Sequence, residues 1–296
     1  MKIVYTPKKF SNAHLALIAT ANEIIAEYES QSLVLTLRQL YYQFVARDLL
    51  PNKQQEYKRL GGILNDARLA GLVSWEAMED RTRYLRELPH WRSPGQIIES
   101  AAYGYRIDKW ADQEIRPEVW IEKDALIGVI ERVCNDHDVP FFACRGYNSQ
   151  SEAWSAGRRV LSRFKRTGQS TLVLHFGDHD PSGLDMTVDN RNRLGIFTAG
   201  EPCFELRRLA LNQDQIDEYN PPPNPAKTTD SRSGAYIAEH GDQSWELDAL
   251  EPRVLADLIR VEIESVLDRD KWDEAVEREK SGKALLDRLA KEYKNA

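Results

Sequence analysis

Between residues 11 and 28 (SNAHLALIATANEIIAEY) apolar side chains recur at the 3.6-residue period of a helix, and Ser11 or Asn12 can cap its start. The same spacing predicts a second helix from about Thr36 to Ala46 and a third from about Gln54 to Ala70. Gly71 closes the third helix, and LVSW, a charged stretch and DRTRYLREL follow. From residue 116 the pattern changes. PEVWIE, VPFFACRG and TLVLHFGD read as strands, and they alternate with helical DALIGVIERVCNDH, SEAWSAGRRVLSRFKRTG and PSGLDMTVDNRNRLG. This β-α-β-α-β order predicts a parallel sheet covered on both faces. Residues 96–115 read as a connector, Tyr219 to Lys227 (YNPPPNPAK) as a proline-rich loop, and the chain from about Pro252 as charge-rich helix. No internal repeat or low-complexity tract is visible.

Length and charge refine this picture. A chain of 296 residues that is 42% hydrophobic can bury a sizeable core, and the length suggests two domains. Residues 1–95 form the first, and residues 116–296 the second. Three short helices followed by a strand-and-loop segment are the outline of a winged helix, whose third helix enters the major groove of DNA. Lys58, Arg59 and Arg68 would then contact phosphates from that helix, and Arg81, Arg83 and Arg86 from the wing. A small helical domain with a solvated charged face has the same outline. The net charge of −7 argues mildly against coating nucleic acid non-specifically. Through residue 98, however, 13 Lys and Arg stand against 10 Asp and Glu, so the excess of acid lies in the second part.

No apolar run approaches the roughly 20 residues that a membrane helix needs. Met1 to Phe10 carry lysines without an apolar stretch behind them and do not read as a secretory leader. Cys134, Cys144 and Cys203 are odd in number and lack metal-ligand spacing, which suits reduced thiols in the cytoplasm.

Chemistry in a parallel α/β sheet gathers at the carboxyl ends of its strands. Glu122 ends EVWIE and is followed by Lys123. Asp178 and Asp180 end TLVLHFGDHD, and Pro181 then opens a helix that Asp180 can cap. Extended residues two apart point the same way, so Asp178 and Asp180 can share one ion. Crowded carboxylates repel one another, and magnesium, which prefers oxygen ligands, resolves the repulsion. Strand-end aspartates also serve as plain caps and turn residues. His175 and His179 are four apart, but on a strand that spacing does not build a zinc site.

The pairing of WIEKDAL with HFGDHDPSGLDM resembles the Toprim domain, in the version found in the A subunit of topoisomerase VI and the related meiotic double-strand-break protein. The resemblance implies an α/β chain with a winged helix, then a Toprim domain (Rossmann-like, with a parallel sheet) and a helical C-terminal extension. It implies Glu122, Asp178 and Asp180 as Mg2+ ligands. SWELDAL (Ser244 to Leu250) is similar to a late acidic stretch of those proteins and adds Glu246 as a further candidate. TLRQLYYQF resembles their Arg-x-x-Tyr-Tyr motif, in which the second tyrosine attacks DNA and becomes joined to it; here that is Tyr42.

Helical geometry bears on the same residue. Leu37, Leu40, Tyr41 and Phe44 form one apolar stripe, so Tyr41 is expected in the core. Tyr42 lies about 100° around the helix, with Arg38 on its face. Tyr42 packing against the wing is the structural alternative. Three readings follow: a topoisomerase VI A-like transesterase using Tyr42, Arg38, Glu122 and Lys123, a Toprim nuclease in which water attacks, and a non-catalytic DNA-binding protein. The compact length resembles stand-alone versions in bacteria, phages and mobile elements. No Gly-rich phosphate loop is present, so an ATPase would be a separate subunit. Expected partners are double-stranded DNA and a second copy of the chain. Because only a connector joins the two domains, and from the resemblance, the homodimer is expected to set the tyrosine of one protomer against the carboxylates of the other.

Overall fold

The computed structural model describes residues 2–31, 33–78, 88–226, 230 and 232–293. Its first part contains three helices where the apolar spacing puts them. α1 (Asn12–Ser30) starts at Ser11, whose hydroxyl accepts from the His14 amide. α2 (Leu37–Ala46) opens on a reciprocal cap: the Thr36 hydroxyl accepts from the Gln39 amide, and Gln39 Oε1 accepts from the Thr36 amide. α3 (Gln54–Leu69) completes the set. Ile18, Ile24 and Tyr28 of α1, Leu40, Tyr41 and Phe44 of α2, and Leu60 and Leu64 of α3 close one apolar core.

The chain after α3 departs from the expected strand. Trp75–Ala77 is a 3₁₀ turn, and pairing among the described residues here is limited to the bridges Val4–Ala70 and Leu35–Met78. Arg68 explains part of this. Its guanidinium donates to the carbonyls of Trp75 and Met78 and lies 5.6 Å from the Trp75 ring, tying the turn back onto α3. The wing positions Arg81, Arg83 and Arg86 lie outside the described residues.

α4 (Pro94–Gly104) follows, capped by Ser93 with Pro94 in its first turn. Then come β1 (Ile115–Ile121), α5 (Ile127–Asp136), β2 (Phe141–Ala143), α6 (Gln150–Thr167), β3 (Ser170–Phe176), α7 (Pro181–Phe197) and β4 (Phe204–Ala210). The four strands are parallel, in the order β2-β1-β3-β4. Alternation along the strands feeds two cores. Val119, Ile121, Leu172, Leu174 and Phe176 pack against α5 on one face, whereas Trp120 and Val173 meet Ala156 and Leu194 on the other. α8 (Gln213–Tyr219) leads to a short antiparallel pair, β5 (Asn224–Pro225) with β6 (Gln243–Ser244), around α9 (Ser233–His240). α10 (Pro252–Ser265) and α11 (Arg269–Glu292) end the fold, with Leu255, Ile259, Ile263 and Trp272 in the core shared with α5.

The stretch expected to be a connector is not a free linker. α4 packs along α11, the fully buried Trp110 meets Trp272 edge-on with centroids 5.8 Å apart, and Lys109 pairs with Glu279 at 2.7 Å. The two parts of the chain also touch directly. The Tyr28 hydroxyl donates to Glu251 Oε2 at 2.5 Å, and Asn52 Nδ2 donates to Asn224 Oδ1 at 2.8 Å. Cys134, Cys144 and Cys203 are buried free thiols. Among the described residues, no helix is long and apolar enough to cross a membrane.

Candidate active site

With β1 and β3 adjacent and their helices leaving toward opposite faces, the carboxyl ends of these two strands form the switch point of the sheet, where α/β folds collect ligands. Register sets what stands there. Ile121 pairs with Phe176, so Glu122 and Gly177 leave the sheet side by side. The Glu122 amide donates to the Phe176 carbonyl at 2.8 Å, and the Asp178 amide donates to Glu122 Oε2 at 2.8 Å. Gly177 permits this approach, since a Cβ there would lie 3.1 Å from Glu122 Oε2.

β3 ends at Phe176, and in the turn beyond it the carboxylates of Asp178 and Asp180 take different partners. Asp178 Oδ1 accepts from the Leu247 amide at 2.8 Å and lies 3.0 Å from Lys123 Nζ. Asp180 caps α7, accepting from the Gly183 amide at 2.7 Å. Gly183 is required at this spot, because a Cβ would fall 2.2 Å from the Asp178 carbonyl oxygen. Gly183→Ala should therefore force the turn apart and destabilise the protein by about 1–3 kcal/mol. Denaturant unfolding would measure this, and an unchanged midpoint would refute it.

The segment 246–248 closes the site from the far side. Lys123 Nζ bridges Asp178, Glu246 at 2.9 Å and Asp248 at 2.9 Å. Arg38, reaching over from α2, pairs with Glu246 and places Nε 2.7 Å from Asp248 Oδ2. That second contact is an ion pair without hydrogen-bond alignment, for both atoms lack a hydrogen-bonded partner. Arg38 also lies 5.8 Å from the centre of the Tyr42 ring. Residues far apart in sequence thus converge on one acidic cluster within a single chain.

Electrostatics follows from the crowding. Burial, with Asp178 next in effect, pushes the Glu122 carboxyl up to about 7. Burial also raises Asp178, although Lys123 opposes it. For Glu246, burial is outweighed by Lys123 and Arg38, which draw it down to about 2. Burial raises the Tyr42 phenol above its ordinary value, and Asp248 and Glu246 add to the shift while Arg38 and Lys123 oppose it.

Tyr42 is only 4% exposed, although it lies off the apolar stripe of α2. The 3₁₀ turn Leu247–Ala249 packs on α2 and covers its other side. Tyr41 is structural as expected. Its hydroxyl contacts the Pro51 and Lys53 carbonyls at 3.0 and 3.1 Å and accepts from the Lys53 amide at 2.8 Å.

Among the described residues, no three His, Cys, Asp or Glu side chains are gathered as a ready metal cage. Lys123 stands among three of the acids, and Asp180 is engaged as a cap. The donors still have the chemistry that magnesium takes, being carboxylate oxygens alone. The charges fit as well. Glu122, Asp178, Asp180, Glu246 and Asp248 face Lys123, Arg38 and Arg208, so acids outnumber cations by two, and Asp178 and Asp180 add to the burial that raises Glu122.

Asp248 and Arg208 were not singled out from sequence. Asp248 had a signal, since it stands two residues after Glu246 in SWELDAL. His175 and His179 turn to different partners, Thr187 and Tyr236. On α3, Lys58 and Arg59 are exposed, with Arg59 paired to Glu56, whereas Arg68 is engaged with the following turn. Comparison with protein-family models and with curated proteins returns no match for this chain.

Proposed function

We propose that this chain is a magnesium-dependent DNA-cleaving protein of the topoisomerase VI A-like kind, with a winged-helix first part, a Toprim second part and Tyr42 as nucleophile. The observation that carries the reading is the meeting of Arg38 and Tyr42, from one helix, with Lys123, Asp178, Glu246 and Asp248. Its neighbour Tyr41 has a hydroxyl spent on backbone partners, as a purely structural tyrosine would.

When bound by Glu122, Asp178 and Asp180, magnesium supplies a Lewis acid for a phosphodiester oxygen. The chain's own residues supply the rest. DNA docks through Lys58 and Arg59 on α3, and binding weakens with salt as phosphate contacts release counterions. Arg38 exchanges Glu246 and Asp248 for the scissile phosphate, whose oxygens suit the guanidinium fork equally well. Tyr42 Oη then bonds to phosphorus as a strand P–O bond breaks. The phenol proton passes to the freed Glu246 or Asp248, and Lys123 offers a proton to the departing oxygen. Two copies, each with its own site, would cut both strands of a duplex. ATP-driven strand passage would need a separate subunit.

The burial of Tyr42 favours a second reading, in which water attacks at the carboxylates and the tyrosine only packs. One experiment separates the two. Protein is incubated with magnesium and end-labelled DNA, then denatured and run on a gel. Label migrating with the protein supports the transesterase. Cleavage without attached label supports the nuclease, and no cleavage of any DNA form would leave only a binding protein.

A further inference from the structure

Behind the carboxylates lies a buried polar layer that takes no part in this chemistry. Arg208, on β4, reaches under the turn between β3 and α7. Its Nη2 donates to the carbonyls of Gly177 at 2.9 Å, Asp178 at 2.7 Å and Leu211 at 3.1 Å. Its Nη1 donates to the Gly183 carbonyl at 2.9 Å and to Thr187 Oγ1 at 2.7 Å. The guanidinium therefore grips the turn at both ends, before Asp178 and after Asp180.

Those carbonyls face the interior, and buried acceptors need donors. A guanidinium presents five in a fixed planar fork; an ammonium has three on a flexible stem and cannot span the turn in the same way. The neighbours keep the fork in place without adding charge. Thr187 Oγ1 lies 3.0 Å from His175 Nδ1, and His175 Nε2 lies 3.3 Å from Asn190 Nδ2. Burial, followed by Arg208 and Arg191, pushes His175 down to about 3, so its ring is neutral. Burial lowers Arg208 to about 10, which leaves it charged at neutral pH and attracted to Glu122, Asp178 and Asp180.

We propose that Arg208 is the positioning residue of the site, holding the Gly177–Gly183 turn so that Asp178 and Asp180 keep their places relative to Glu122. What those carboxylates do rests on the function proposed above; the grip on the turn does not.

The test compares wild-type protein with Arg208→Lys, which keeps the charge and loses the fork, by hydrogen–deuterium exchange and by calorimetric titration with magnesium. The Asp178 amide donates to Glu122 Oε2, so exchange in the turn reports on that pairing. In Arg208→Lys, exchange across residues 177–184 should rise at least about tenfold while β1 and α6 keep wild-type rates. Magnesium affinity should fall about 10- to 100-fold, as for other groups that orient ligands. If Arg208→Lys unfolds as a whole, Thr187→Val decides by the same pattern, since it removes one Arg208 partner at nearly constant volume. Unchanged exchange at 177–184 overturns the proposal. So does acceleration spread evenly over the sheet in both variants, or a loosened turn with wild-type magnesium affinity. Wild-type protein that takes up no magnesium would sink the functional reading instead, and the exchange pattern alone would then decide the role of Arg208.

Discussion

Tyr42→Phe is expected to abolish the covalent protein–DNA adduct while leaving the protein folded. The change removes one oxygen and keeps the ring that packs between Arg38 and the Tyr41 side chain, whose centroid lies 5.7 Å away. Tyr41→Phe should behave in the opposite way. It keeps the adduct but removes the hydroxyl that ties the start of α3 to α2 through Pro51 and Lys53. Leaving those backbone groups unpaired should cost about 1–3 kcal/mol. Label transfer on a denaturing gel reads the first effect, and chemical unfolding reads the second. An adduct that persists in Tyr42→Phe would remove Tyr42 as nucleophile, and cleavage that continues without an adduct would establish water attack.

Much of the fold was legible because its elements are locally consistent. The three helices of the first part carry apolar stripes of one period, with side-chain caps on α1 and α2, and β1 and β3 hold the short apolar runs Val119–Ile121 and Leu172–Leu174. β4 was not legible. FELRRLA is an edge strand whose Glu205, Arg207 and Arg208 leave no three consecutive apolar residues, unlike Val119–Ile121 in β1 and Leu172–Leu174 in β3. α4 was hidden by its own punctuation: Ser93, Pro94 and Gly95 look like a loop, yet Ser93 caps and Pro94 opens a helix. In the site, the strand-end positions of Glu122 and Asp178 followed from pattern alone, as did the capping role of Asp180. β3 stops at Phe176, so the separate hydrogen-bond partners that Asp178 and Asp180 take in the turn beyond it could not be read from strand alternation. Nothing local could show that Glu246 and Asp248 would cover Tyr42, because that burial depends on how one body of the chain sits on another. Arg68 shows the same limit, since a basic residue on an amphipathic helix looks free until the turn that it holds is seen.

A mixture of Tyr42→Phe and Asp178→Asn protein should remain inactive. Asp178→Asn alone should lower magnesium-dependent cleavage by at least about 100-fold, because it removes a charge from the site yet leaves an oxygen to accept from the Leu247 amide. The mixture then asks whether a complete site belongs to one chain. A free connector of about 20 residues would impose little on two domains and would favour sites shared across a dimer, but residues 96–115 are packed against α11. The ion pairs of Arg38 with Glu246 and Asp248 act against that freedom, holding α2 on the acidic cluster of its own chain. The contacts of Tyr28 with Glu251 and of Asn52 with Asn224 work in the same direction. With sites in one chain, each protomer keeps its own defect whatever its partner, and exchange of subunits restores nothing. With shared sites, random exchange would give half heterodimers, each with one of its two sites intact, and about one quarter of wild-type nicking would return. Nicking of supercoiled plasmid, measured after exchange has been verified with two differently tagged chains, distinguishes the outcomes. Recovery near one quarter would mean that α2 leaves its own cluster to act on that of a partner.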